Sequence, residues 1–168
     1  RSGNLYCENV PLEKIAREVR TPVYVYSKKT ILEHYRKLKR ALSSLNPLVC
    51  FSVKSNSNLA VLKTLARAGS GFDVVSGGEL YRALKIGADP KKIVFASVGK
   101  TDGEIRTAIQ KGIFCLNVES LPELDRIEEI AGALGKTVRV ALRLNPEVVT
   151  LTHHYVQTAK SESKFGIT

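Results

Sequence analysis

The feature that most constrains this chain is its rhythm. From Leu48 to Leu142, short apolar runs alternate with amphipathic stretches at a spacing of about twenty residues. The runs Leu48–Lys54, Gly71–Val75, Lys92–Ala96, Phe114–Val118 and Thr137–Leu142 predict strands. The stretches between them predict helices over Leu59–Ala68, Gly78–Ile86, Asp102–Lys111 and Pro122–Leu134. Ahead of this series, Val23–Tyr26 reads as a short strand and Lys28–Leu45 as a helix. Short continuous apolar runs are the mark of parallel strands covered on both faces. Strict strand–helix alternation builds βαβ units around one parallel sheet. Such a rhythm serves a (β/α)8 barrel, which takes about 250 residues, or a complete open doubly wound sheet. The period alone does not separate the two.

Punctuation supports these boundaries. Ser76-Gly77-Gly78-Glu79, Thr101-Asp102-Gly103-Glu104 and Ser120-Leu121-Pro122-Glu123 fit S/T-x-x-E capping boxes. Gly69, Gly87, Gly112 and Gly135 stand where helices end, as C′ residues do. Gly77-Gly78 after a strand suggests a phosphate loop, but no G-x-G-x-x-G surrounds it, and a tight turn into a helix is the favoured reading.

Composition narrows the class. The 168 residues suffice for one domain with a core, and no apolar run approaches a membrane span. The first residues lack the apolar stretch of a secretory signal. Cys50 and Cys115 lie in apolar runs and read as small core residues; with Cys7 they make an odd, widely spaced set that fits a reducing cytoplasm. The net charge is +10, yet the densest basic cluster (Lys28, Lys29, Arg36, Lys37, Lys39, Arg40) shares a helix with Ile31, Leu32, Tyr35, Leu38 and Leu42. That is the solvated face of an amphipathic helix, with His34 solvated beside it, and a nucleic-acid module ranks last among the readings.

Lys54 is the residue that points to chemistry. It closes the run Leu48-Val49-Cys50-Phe51-Ser52-Val53 and precedes Ser55-Asn56-Ser57-Asn58. An ammonium at the end of a buried strand loses water, which favours the neutral amine, a nucleophile toward carbonyls. The other reading is a strand-end lysine that snorkels to solvent.

Phe51-Ser52-Val53-Lys54-Ser55-Asn56 resembles the pyridoxal-phosphate lysine motif of the decarboxylases with an alanine-racemase-like barrel, and among them the members that act on diaminopimelate in lysine biosynthesis. Further segments agree in order along nearly the whole chain: Gly71 to Leu80, Gly99-Lys100-Thr101, Asn117-Val118-Glu119-Ser120, Leu142 to Pro146, Thr152-His153-His154-Tyr155 and Lys164-Phe165-Gly166. The resemblance implies an α/β fold, a (β/α)8 TIM-type barrel truncated to about its first five βα units. Residues 27–168 would be the partial pyridoxal-phosphate barrel, and residues 1–26 the N-terminal piece of a second, β-rich domain. A barrel cut there would expose strand edges and be poorly soluble or oligomeric alone.

By the same resemblance Lys54 is the catalytic, cofactor-bonded amine. Asp73 and Arg143 are further cofactor-site residues, Asp73 holding the protonated amine by charge. Arg143, placed at the close of its strand, would pair with Asp73 or with a cofactor oxygen, or serve as a structural ion pair. His153, His154 and Tyr155 would sit in a loop over 150–163 that covers substrate, or in a plain connector. The two histidines are adjacent, so in a strand they face opposite ways, and no metal site is expected. The implied function is decarboxylation of meso-2,6-diaminopimelate to L-lysine and carbon dioxide by a cytoplasmic homodimer, with no nucleic-acid or membrane partner. The alternatives are a decarboxylase of ornithine, arginine or carboxynorspermidine, or a non-catalytic pyridoxal-phosphate barrel.

Overall fold

The computed structural model describes residues 3–145 and 165–167. The chain divides into two compact units, Arg1–Pro47 and Leu48–Thr168. In the first, β1 (Tyr6–Cys7) pairs antiparallel with β2 (Val10–Pro11), and helices α1 (Leu12–Val19) and α2 (Lys28–Ala41) follow. Ser27 caps α2 by accepting from the Thr30 N–H at 3.0 Å. Glu8 accepts from the Lys29 N–H at 2.7 Å and from the Ser27 hydroxyl at 2.9 Å, placing negative charge at the positive end of α2. Those two donations hold the Glu8 carboxyl below its usual pKa. The expected strand over Val23–Tyr26 is absent: the segment belongs to no sheet among the described residues, and Tyr24 is exposed. Its Val and Tyr residues favour extended backbone, but a strand also requires a ladder partner.

The second unit carries the alternating elements. Its strands are β3 (Cys50–Ser52), β4 (Gly71–Val74), β5 (Ile93–Ala96), β6 (Cys115–Val118) and β7 (Val140–Leu142). Helices α3 (Leu59–Arg67), α4 (Gly77–Lys85), α5 (Asp102–Lys111) and α6 (Leu121–Ala133) connect them. All neighbours are parallel and lie in the order β3-β4-β5-β6-β7. A doubly wound sheet reverses its strand order at a switch point, whereas a barrel adds each strand beside the last. This order is the barrel's: the unit is a run of βα units from a (β/α)8 barrel, with β3 and β7 as edges.

One face of the sheet is the more deeply buried. Phe72 and Val74 of β4, Ile93 and Phe95 of β5, and Leu116 and Val118 of β6 are all fully buried and in register with one another. They share a core with Leu62, Leu80, Ile105 and Ile127 of the helices. The residues between them, Asp73, Val94 and Asn117, project to the opposite, half-exposed face.

The glycines expected to end helices do so: Gly69, Gly87, Gly112 and Gly135 all have φ between 61° and 91°. Gly77-Gly78 opens α4 and is the turn into a helix. Of the three expected capping boxes, the one at Thr101 and Glu104 is complete. Ser76 and Ser120 do cap their helices, but Glu79 and Glu123 reach one residue further back, to the N–H groups of Val75 and Glu119. Glu104 also takes the Gly77 N–H at 2.6 Å, tying α5 to the start of α4. Burial alone would raise the Glu104 pKa, but the N–H groups of Thr101 and Gly77, then the Thr101 hydroxyl and the Lys100 charge, outweigh it and hold the carboxyl low.

Two predictions follow from this packing. A Cβ on Gly71 would stand 2.5 Å from the Lys92 carbonyl oxygen and 2.7 Å from Cys50 Sγ, so Gly71→Ala should cost about 1–3 kcal/mol in urea denaturation. Gly132→Ala, on an exposed turn of α6 with open space around it, should instead stabilise by about 0.5–1 kcal/mol. The depressed pKa of Glu104 means that its contribution is fully present above its unfolded pKa of about 4.3 and is lost as pH falls through the lower folded value. In Glu104→Gln the acid limb of stability against pH should therefore be flatter below about pH 4.5, measured as urea midpoints.

Candidate active site

A cleft of about 530 Å³ opens at the C-terminal ends of the strands. Lys54, Asp73, Asn117, Glu119, Arg143 and Phe165 line it. The structure thus brings together all three of the expected cofactor-site residues it describes. His153, His154 and Tyr155 lie outside the described residues, as does the 150–163 loop.

Lys54 is not where a buried strand end would put it. β3 stops at Ser52, and Val53–Ser55 form a single 3-10 turn packed against β4 and α4. Val53 is 0% exposed and takes the burial, while Lys54 is turned outward and exposed. The polar residues after Lys54 shape this turn. Ser55 Oγ donates to the Ser52 carbonyl at 2.7 Å, Asn56 Oδ1 accepts from the Asn58 N–H, and Asn58 caps α3.

Asp73 accepts from Ser52 Oγ at 2.9 Å, a partner supplied by the neighbouring strand through the register Ser52↔Asp73. Arg143 lies one residue beyond β7 and pairs with Glu119, not with Asp73; its Nη1 stands 3.2 Å from Glu119 Oε1. Register explains the choice. Asn117, Ala141 and their neighbours run side by side, so the residue after β7 meets the residue after β6, while Asp73 is three strands away on β4. Cys50 lines the same cleft and is only half-buried, not a core residue. Burial, and then the neighbouring Asp73 charge, push its thiol up in pKa, which keeps it protonated. Cys115 is buried, as expected.

The lysine that is fully buried here is Lys100, with 0% side-chain exposure. Its Nζ donates to the Ser97 carbonyl at 2.9 Å, to the Asn117 carbonyl at 2.6 Å and to Glu123 Oε1 at 2.5 Å. Three donors meet three acceptors, the condition under which an ammonium tolerates the interior. The ammonium joins the ends of β5 and β6 to the first turn of α6 beneath the cleft. Among the described residues no cluster of His, Cys, Asp or Glu could hold a metal ion, and no helix is long and apolar enough to cross a membrane. A separate hollow of about 1080 Å³ is lined by Lys28, Lys29, Arg36, Lys39 and Arg40 in the first unit and contains none of the cleft residues.

A parallel βα barrel with an amine, a carboxylate and a guanidinium gathered at the C-terminal ends of its strands defines a barrel protein whose chemistry sits on that face. Residues 28–168 match the family model described as pyridoxal-dependent decarboxylase, pyridoxal binding domain, and the chain belongs to that family. It is 48% identical over 163 residues to diaminopimelate decarboxylase of Neisseria meningitidis, covering 97% of this chain and 39% of that protein. Against the Pseudomonas aeruginosa enzyme of the same name it is 50% identical over 167 residues, covering 99% and 40%. The structure of diaminopimelate decarboxylase from M. jannaschii in complex with L-lysine superposes with a TM-score of 0.91 at 37% identity, over 99% of this chain and 40% of that one. The chain therefore spans about two-fifths of the length of the relatives it matches.

Lys100 and Glu119 had been quoted only within larger motifs, without roles. For Glu119 a signal was present. The units Val75-Ser76-x-x-Glu79 and Glu119-Ser120-x-x-Glu123 are built alike, and a carboxylate stands in one where the other has valine. Lys100→Ala should leave Glu123 and two carbonyls without their cation and cost about 3–5 kcal/mol in urea denaturation. Arg126→Ala, which removes exposed pairs with Asp102 and Glu129, should cost about 1 kcal/mol or less.

Proposed function

We propose that this chain supplies the cofactor-binding barrel segment of a pyridoxal-phosphate-dependent decarboxylase that converts meso-2,6-diaminopimelate to L-lysine and carbon dioxide. The observation that carries the reading is the convergence of Lys54, Asp73 and Arg143 on one cleft at the C-terminal strand ends, within a chain of this family. The names of its relatives and the L-lysine bound to the M. jannaschii enzyme support the substrate class.

The residues present fit the cofactor. It carries an aldehyde, which suits the amine of Lys54, and anionic oxygens, which suit the guanidinium of Arg143. The cleft is open enough for Lys54 to be reached from solvent. When bound, pyridoxal phosphate supplies an electron sink for the carbanion left by loss of carbon dioxide. The protein's part is positioning and charge. Lys54 would offer the nitrogen that holds the cofactor. Asp73, oriented by the Ser52 hydroxyl, places a negative charge on the same cleft wall and stabilises a protonated amine there. Asn117, on the same face of the sheet, adds a neutral donor and acceptor to the cleft.

Under this reading residues 1–26 belong to a β-rich second domain. The enzyme acts as a homodimer in the cytoplasm. Borohydride reduction of the full chain with pyridoxal phosphate should attach a pyridoxyl group to Lys54, read by peptide mass mapping, and Lys54→Ala should abolish it. Label on another lysine would defeat the site assignment. Carbon dioxide released from ornithine but not from diaminopimelate would defeat the substrate assignment alone.

A further inference from the structure

We propose that Glu119 is a positioning residue for Arg143: it fixes the guanidinium on the cleft wall and clamps the Phe165–Gly166 segment against it. This rests on the cleft being the cofactor site. Glu119 follows β6 directly, and its side chain is only 5% exposed. A carboxylate that deep requires partners, and both oxygens have them. Arg143 Nη1 donates to Oε1 at 3.2 Å and to Oε2 at 3.3 Å, and the Gly166 N–H donates to Oε2 at 3.1 Å.

The grip has a second jaw. The Phe165 ring lies under the Arg143 guanidinium with its centroid 4.6 Å away, a cation–π arrangement. The backbone closes the same joint. The Arg143 N–H donates to the Val118 carbonyl, and the Arg143 carbonyl accepts from the Ile167 N–H at 2.7 Å. Gly166 has φ of 79°, and a Cβ there would stand 3.0 Å from the Arg143 carbonyl oxygen, so the approach needs a glycine. Glu119 is itself held, because its N–H donates to Glu123 Oε2 at 2.7 Å and Glu123 is tied to the buried Lys100. A continuous chain of hydrogen bonds thus runs from the interior to the one guanidinium on the cleft wall, whose side chain remains 40% exposed.

The experiment uses the full chain and reads cofactor affinity by absorbance titration with pyridoxal phosphate, amide exchange at Gly166, and thermal midpoint. Glu119→Gln and Glu119→Asp should each bind the cofactor about tenfold more weakly, and their Gly166 amide should exchange about tenfold faster. Arg143→Met should lose at least as much affinity. In the double variant, Glu119→Gln added to Arg143→Met should cost nothing further, since Glu119 acts through Arg143. The Asp variant keeps the charge and serves where the Gln variant fails to fold. Wild-type affinity in a folded Glu119 variant, or losses that multiply in the double variant, would overturn the proposal. If wild-type Lys54 takes no pyridoxyl label, the site reading itself fails, and this inference with it. If the label persists while the losses multiply, only the inference fails.

Discussion

The face assignment of the sheet governs everything built on it. Six side chains on the three central strands, Phe72 to Val118, are fully buried against the helices, and their register leaves no freedom. A slip of one residue in β4 would drive Asp73 into the layer between Phe95 and the helices and turn Phe72 and Val74 to the cleft side. The hydrophobic layer therefore does more than stabilise. It decides that Asp73 and Asn117 face one way, and the parallel order brings their strand ends to one edge. Chemistry at that edge is a consequence of core packing two residues deep.

Burial is also what separates the two lysines that matter. The apolar run predicts a shielded Lys54, but β3 stops at Ser52 and the single turn that follows buries Val53 and leaves the next side chain outward. Lys100 stands four residues past the run that ends at Ala96, after Ser97-Val98-Gly99, yet it is the fully enclosed ammonium. Its acceptors come from three separate places in the chain, Ser97, Asn117 and Glu123, so no local pattern marks it. The first case is a local signal overruled by topology. The second is a site that only topology creates.

What was legible follows the same division. The βα elements from Leu59 onward match their expected positions closely, because apolar period, N-cap serines and terminal glycines are all local. The barrel order follows from the motifs' resemblance rather than from the period, and so do the roles expected of Asp73 and Arg143, whereas Lys54 stands out first by closing an apolar run. The pairing of Arg143 was not legible. It depends on which strand end lies beside which, and the strand order makes that neighbour Glu119. Nor was the failed Val23–Tyr26 strand, where propensity was right and a partner was lacking among the described residues.

The charge surplus, finally, says little about the cleft. Five of the basic residues line a hollow on α2 in the first unit, while the cleft itself sets Lys54 and Arg143 against Asp73 and Glu119. Among the described residues of the cleft, two cations face two carboxylates. The selectivity has to come from how those charges are committed. Glu119 is committed to Arg143 and to the Gly166 amide, and Asp73 to the Ser52 hydroxyl. Lys54 stands exposed at the mouth, on a turn that Val53 anchors. Under the proposed reading, a ligand with both an aldehyde and anionic oxygens would meet an amine it can reach and a guanidinium fixed by Glu119. That complementarity is set by geometry, and the protein's overall charge would leave it unchanged.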